Sequence, residues 1–170
     1  MRSITIDIYP SPVGELILGS YQGCLCLCDW RYRKRREAID QRIQRGLGAE
    51  YVHASDRVLQ QASRQLSEYF LHQRQHFDIP LLMVGTEFQK SVWTALQAIR
   101  FGQTLSYQQL AERVERKQAV RAVASANGAN ALSLFIPCHR VLGQKGDLVG
   151  YAGGLLAKQK LLALEQDLFH

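Results

Sequence analysis

The period of the apolar positions changes near the middle of the chain. From Ser3 to Tyr9 apolar and polar residues alternate. Ser11-Pro12-Val13-Gly14 carries turn residues, Glu15 to Ser20 resumes the alternation, and Tyr21-Gln22-Gly23 turns into the run Gly23-Cys24-Leu25-Cys26-Leu27-Cys28. A period of two marks a strand, because successive side chains point to opposite faces. Three such runs joined by tight turns predict an antiparallel meander. Between Asp56 and Gln73 the residues Val58, Leu59, Ala62, Leu66, Tyr69 and Phe70 recur at helical spacing. His76 to Gly85, interrupted by Pro80, reads as a linker.

The second half reads as mostly helical. Thr86-Glu87-Phe88-Gln89 has the form of a capping box, opening a helix that carries Val92, Trp93, Leu96 and Ile99 and closes at Phe101-Gly102. Ser106-Tyr107-Gln108-Gln109 is a second capping box, opening a helix through Val114. A turn at Glu115 to Lys117 precedes a short helix from about Gln118 to Asn127, ended by Gly128. Two short helices on a tight turn predict a helix-turn-helix. The second helix holds Ala119, Ala122, Ala124 and Ala126, so it can approach another surface closely. Spacing alone leaves open whether that surface is internal or external. Asn130 to Ile136 reads as an extended apolar approach to Pro137-Cys138-His139-Arg140. A loop with Gly143, Gly146, Gly150, Gly153 and Gly154 follows, then an amphipathic helix from Leu155 to about Leu168. The expected fold class is α+β. Residues 1–80 form a small sheet-and-helix domain, and residues 86–170 a mostly helical one.

Composition adds limits to this outline. The chain has 170 residues, 46% of them hydrophobic, enough for a packed core. A formal net charge of +6 and a pI near 9.3 favour a polyanionic partner without requiring one. Arg31, Arg33, Lys34, Arg35 and Arg36 read as a solvated face, with phosphate attraction as the sharper alternative. Met1 to Pro12 has no signal-like apolar region, and no stretch reaches the ~18 to 20 apolar residues of a membrane span. A cytoplasmic protein with reduced thiols is expected.

The four cysteines are of two kinds. Strand alternation predicts that Cys24, Cys26 and Cys28 share one side, either as part of a soft-metal site or as small apolar fillers. The absence of C-x-x-C spacing and of nearby histidines favours fillers. Cys138 instead lies between Pro137 and the pair His139-Arg140. A thiol beside a base and a cation is a candidate thiolate nucleophile. His139 and Glu165 are the natural supports. A carboxylate orients and charges an imidazole, which takes the thiol proton directly or through a water. Each of the two read alone is an ordinary loop histidine and an ordinary solvent-facing helix glutamate.

Ile136-Pro137-Cys138-His139-Arg140-Val141 resembles the active-site signature of the methylated-DNA–protein-cysteine methyltransferases, the O6-alkylguanine-DNA alkyltransferases. Ser106-Tyr107-Gln108-Gln109-Leu110-Ala111, Ala119-Val120-Arg121-Ala122-Val123, Asn127-Gly128-Ala129-Asn130, Gly150-Tyr151-Ala152-Gly153-Gly154 and Leu161-Leu162-Ala163-Leu164-Glu165 resemble further family segments, in the family's order. The resemblance is close over residues 86–170. Over residues 1–85 it is one of layout, a small sheet and helix resembling the family's ribonuclease-H-like N-terminal domain.

The resemblance implies double-stranded DNA containing O6-alkylguanine as the partner, met through the minor groove by a monomer without a cofactor. It implies that Cys138 is nucleophile and alkyl acceptor, His139 its base through a water, Glu165 the group polarising His139, and Asn130 a hinge bracing the cysteine segment. Tyr107 is implied to donate a proton or hydrogen bond to the flipped base, and Arg121 to fill the gap the base leaves. Ala122, Ala126, Asn127 and Gly128 are implied to meet the DNA, where small residues fit a narrow groove. Tyr151, Ala152, Gly153 and Val141 are implied to line the guanine pocket. Two departures stand out. Ala131-Leu132-Ser133 follows Asn130 where members often have a proline, and Ala152 stands where some have a larger or polar residue. The strand cysteines do not reproduce a zinc site reported for some relatives, so no metal is expected. Three rival readings are a lesion-binding protein without transfer, a helix-turn-helix regulator and a Cys-His hydrolase. The presence of Cys138, the lack of room for another domain and single turnover respectively separate them from repair.

Overall fold

The computed structural model describes residues 2–166. The chain divides into two compact units at Gly85/Thr86. In the first, β1 (Ser3–Ser11), β2 (Gly14–Tyr21) and β3 (Cys24–Trp30) form the antiparallel meander, in the sheet order β3-β2-β1-β4. The sheet is not wholly antiparallel. A fourth strand, β4 (Glu50–His53), pairs parallel to β1 after the helix α1 (Arg36–Leu47). Its sequence, Glu50-Tyr51-Val52-His53, is too short and too polar to register as a strand, and the pairing is supplied by β1. The unit therefore holds two helices, with α2 (Arg57–Phe70) capped by Asp56, whose carboxylate accepts from the Leu59 amide at 2.8 Å. Ile4, Ile6, Leu16, Leu18, Leu25, Leu27, Ile43, Leu59, Leu66 and Tyr69 make its core.

Three expectations change in this unit. The residues read as a linker are bound to the sheet: Leu25 N–H donates to Pro80 O at 2.8 Å and Leu82 N–H to Leu25 O at 2.9 Å, covering part of the β3 edge. The alternation of cysteines is broken, because the register of β2 and β3 shifts between Gly19 and Ser20, opposite Leu25 to Leu27. A side chain on Gly19 would sit 2.9 Å from the Leu27 Cβ, so glycine permits the close approach there. The basic run is largely engaged. Arg31 pairs with Glu15 at 2.8 Å, while Arg33 and Arg36 reach the fully buried Asp29 at 3.2 and 3.0 Å. Arg36 also binds Asp40 at 2.8 Å, which accepts from the Tyr51 hydroxyl at 2.7 Å.

The second unit contains α3 (Glu87–Gln97), β5 (Leu105–Ser106), α4 (Tyr107–Arg113), α5 (Val120–Gly128), β6 (Val141–Leu142) and α6 (Leu155–Gln166). Both capping boxes form: Thr86 with Gln89 at 3.1 and 3.0 Å, and Ser106 with Gln109 at 3.0 and 2.8 Å. The final helix is described as far as Gln166, and its expected end at Leu168 lies outside the described residues. Trp93 Nε1 donates to Ala126 O at 2.8 Å, tying α3 to α5. β5 and β6 pair in parallel, Leu105 with Val141 and Ser106 with Leu142. This short ladder sets the start of α4, and hence Tyr107, beside the segment that leaves Cys138.

No helix among the described residues is long and apolar enough to cross a membrane.

Candidate active site

Cys138 opens a single 3-10 turn, Cys138–Arg140, within a stretch where every residue from 131 to 140 is buried. The approach to it is a tight turn and not the extended run expected from its apolar sequence. Ile136 N–H donates to Leu132 O at 2.8 Å, and Leu134 takes a left-handed φ of 74°. Asn130 holds this turn from inside. Its Nδ2 donates to Ile136 O at 2.8 Å, and its Oδ1 accepts from the Leu132 amide at 2.9 Å. One side chain thus fixes both ends of the segment that delivers the cysteine, with no proline needed at residue 131.

The turn aims His139 and Arg140 at one carboxylate on α6. His139 Nε2 lies 2.7 Å from Glu165 Oε2, and Arg140 donates through Nε to Oε1 at 2.7 Å and through Nη2 to Oε2 at 3.0 Å. Arg140 also donates to Ile99 O at 2.7 Å, just beyond α3. Glu165 is buried, against the reading of it as an ordinary surface residue. Burial alone raises a carboxyl pKa. Here the charge of His139, its hydrogen bond, and the bond and charge of Arg140 overcome burial and bring Glu165 down to about 2. Glu165 is therefore ionised and accepts from the Nε2–H of His139, which turns Nδ1 away from the carboxylate. That Nδ1 is buried and makes no hydrogen bond among the described residues. A thiol, an imidazole with one nitrogen unengaged and an anchored carboxylate are the groups that a nucleophile and its base would require.

Beside this cluster stands a second one. Tyr107 Oη donates to Val149 O at 3.5 Å and accepts from Asn127 Nδ2 at 3.5 Å. Lys158, fully buried on α6, donates to Val149 O at 3.0 Å and Gly150 O at 3.3 Å, with its ammonium 5.9 Å from the Tyr107 ring centre. Burial brings Lys158 down to about 8, against the pull of an ionised Cys138. Burial, then the charge of Cys138, pushes Tyr107 up, while the Asn127 bond draws it down.

Sequence reading took Arg140 only as a cation beside the thiol, not as a partner of Glu165, and it missed Lys158. A signal for Lys158 was present. The buried residues of α6 are Ala157, Lys158, Leu161 and Glu165, so the lysine and the glutamate lie on the same helical stripe as Leu161.

The other site residues fall into place unevenly. On α5, Arg121, Ala122 and Gly128 are exposed together with Ser125, but Ala126 and Asn127 are buried. Of the residues expected to meet DNA, these two lie on the inner side of α5: Ala126 O accepts from Trp93 on α3, and Asn127 faces Tyr107. Tyr151, Ala152 and Gly153 are partly buried, in the loop that Lys158 holds. Val141 is fully buried and pairs with Leu105. The described residues contain no group of three or more potential metal ligands among His, Cys, Asp and Glu.

Residues 87–167 match the family model described as 6-O-methylguanine DNA methyltransferase, DNA binding domain. The chain is 38% identical over 159 residues to a methylated-DNA–protein-cysteine methyltransferase of Methanosarcina acetivorans, covering 93% of this chain and 96% of the relative. It is 41% identical over 159 residues to the enzyme of that name from Mycobacterium leprae, covering 92% of this chain and 88% of the relative. Its structure resembles that of Mycobacterium tuberculosis OGT in complex with DNA, with a TM-score of 0.81 and 33% identity over 95% of this chain and 92% of that one. With similarity of this extent along nearly the whole length, the chain belongs to the methylated-DNA–protein-cysteine methyltransferase family.

Proposed function

We propose that this protein removes the alkyl group from O6-alkylguanine in duplex DNA and keeps it on Cys138, with O4-alkylthymine as a second candidate lesion. The observation that carries the residue assignment is the 2.7 Å contact of His139 Nε2 with an ionised Glu165, which leaves Nδ1 as a base next in sequence to a thiol. The thiol proton passes to Nδ1 directly or through a water. The thiolate attacks the alkyl carbon, a carbon–sulfur bond forms as the carbon–oxygen bond breaks, and the bonding pair leaves with the guanine oxygen. Tyr107 donates a hydrogen bond or proton to the departing base. Atoms and electrons balance between protein and substrate, so the step invokes no cofactor or metal. No residue named in the site has the chemistry to cleave the resulting thioether, so each chain reacts once.

A base inside a duplex is out of reach of an in-line thiolate and has to be flipped, at a cost of roughly a few kcal/mol. Helices α4 and α5 form the helix-turn-helix, which docks in the minor groove with Ala122 and Gly128 against the DNA. Arg121 enters the stack, and Asn130 braces the cysteine. Tyr151, Ala152 and Gly153 line the pocket, with Val141 supporting it from beneath. The first unit is the ribonuclease-H-like domain, residues 1–80, and residues 86–170 carry DNA binding and transfer. The protein acts as a monomer in the cytoplasm.

Intact-mass measurement after incubation with an excess of O6-methylguanine duplex tests this reading. One methyl group per chain, on Cys138, is expected. Sustained turnover, or a methyl on Cys24, Cys26 or Cys28, would overturn it.

A further inference from the structure

Asn127 occupies an odd position for an amide. It lies on the buried side of α5 with Val123 and Ala126, where an apolar side chain would pack with less loss of hydration. Its hydrogen bonding does not repay that loss structurally. Nδ2 reaches Tyr107 Oη at 3.5 Å, the outer limit for such a bond, and Oδ1 is buried with no hydrogen bond among the described residues. As scaffolding, this amide is a poor choice.

What the amide governs is the direction of one proton. A phenol has a single O–H and lone pairs on the same oxygen. With the Asn127 N–H directed at Tyr107 Oη, a lone pair is engaged on that side and the phenolic proton turns away from it. Within the protein that proton meets Val149 O at 3.5 Å, a contact too long to hold it firmly. A base presenting a ring nitrogen or oxygen at ordinary distance would take it over. An N–H donated to the phenol also stabilises negative charge on Oη, easing release of the proton as the base departs.

We propose that Asn127 is a positioning residue for alkyl transfer: it orients the Tyr107 hydroxyl so that its proton is offered to the flipped base. This rests on the reading in which Tyr107 assists the departing guanine. The helix that carries Arg121 on its exposed side therefore carries, on its buried side, the group that arms Tyr107. Binding of α5 to DNA and readiness of the proton donor are then set by one rigid element.

The test is single-turnover methyl transfer from O6-methylguanine duplex by Asn127→Leu and Asn127→Asp, each made alone and together with Tyr107→Phe. Leucine removes the donor. Aspartate is close in shape but only accepts, so it claims the phenolic proton. Each substitution alone should slow transfer roughly tenfold, the worth of one lost hydrogen bond to a reacting group. In the presence of Tyr107→Phe, each should change the rate less than about twofold, because the residue acts through a hydroxyl no longer there. Alkylation of Cys138 by iodoacetamide, which needs no base recognition, should stay near the native rate. A native transfer rate in Asn127→Asp, equal losses with and without Tyr107→Phe, a parallel loss toward iodoacetamide, or failure of both variants to fold would each overturn the proposal. Failure of the unsubstituted protein to gain a methyl on Cys138 would instead remove the underlying reading, and that is seen separately.

Discussion

Each unit buries a carboxylate among nitrogen donors, and the two carboxylates are driven in opposite directions. Asp29 receives Arg33 and Arg36 at 3.0–3.2 Å, yet burial prevails and its pKa is pushed up. Glu165 receives His139 and Arg140 at 2.7–3.0 Å, and there the partners prevail. The partners also differ in kind. Two arginines keep their protons at any physiological pH, so the cluster around Asp29 ends in fixed charges and works as a staple for β3 and α1. The cluster around Glu165 contains an imidazole, whose second nitrogen, Nδ1, makes no hydrogen bond among the described residues. The same kind of construction ends in fixed charges in one unit and, in the proposed mechanism, moves a proton in the other.

The sharpest way to break this contrast is at the thiols. Cys138→Ser should abolish alkyl transfer while leaving lesion binding, since a hydroxyl fits the site but ionises far less readily. Cys26, pushed up to about 12 by burial, stays a thiol at neutral pH, and Cys26→Ser should transfer alkyl at the native rate. Rates from quenched time courses decide both, and surviving transfer in Cys138→Ser would end the mechanism.

The carboxylates come next. Glu165→Gln should slow transfer by about 100-fold, the scale of lost general-base assistance. Asp29→Asn should leave transfer within about twofold of native but lower unfolding stability by about 3 kcal/mol, because two arginines lose a buried partner. Chemical denaturation and transfer rates on the same samples separate the two effects. Similar losses of transfer in both variants would erase the distinction between staple and relay.

A smaller effect is expected away from both clusters. Arg121→Ala should slow repair of duplex DNA by about tenfold or more through the extrusion step, while attack on free O6-benzylguanine, which needs no flipping, stays within about twofold. Equal losses on both substrates would make Arg121 a support of the pocket. Arg121→Lys should rescue poorly, since lysine lacks the planar guanidinium.

The smallest effect is in the acid limb of stability. A carboxyl at 4.5 when unfolded and about 2 when folded stabilises the native state fully above pH 4.5, and loses that contribution as pH falls toward 2. Glu165→Gln should therefore flatten the fall in thermal midpoint between pH 5 and pH 2. An unchanged slope would show that Glu165 is not held as an anion.

How much of this was legible in the sequence depended on range. The boxes at Thr86 and Ser106 were readable because donor and acceptor sit three residues apart. The three-stranded meander was readable because its turns are local. β4 was not, since its strand character comes from pairing with Ser3 to Ile6, more than forty residues earlier. The turn at Leu134 hides behind an apolar sequence, because its geometry comes from Asn130. The burial of Glu165 depends on contacts 25 and 26 residues away, so only resemblance singled it out. The sides of α5 were ambiguous for a plain reason: alanines lie on both, so size could not tell groove from core.

The closed packing around the sulfur bears on what happens after the single reaction. Residues 131 to 140 are all buried, and Cys138 is 3% exposed. A sulfur that acquires a methyl group, or a benzyl group still more, has to displace neighbours that are pinned by Asn130 on one side and by Glu165 on the other. Overfilling a packed interior typically costs about 1–3 kcal/mol. If that cost is not relieved by the pocket, the used protein would open locally more often than the unused one, and a protease or unfoldase that samples such opening would meet the spent form first.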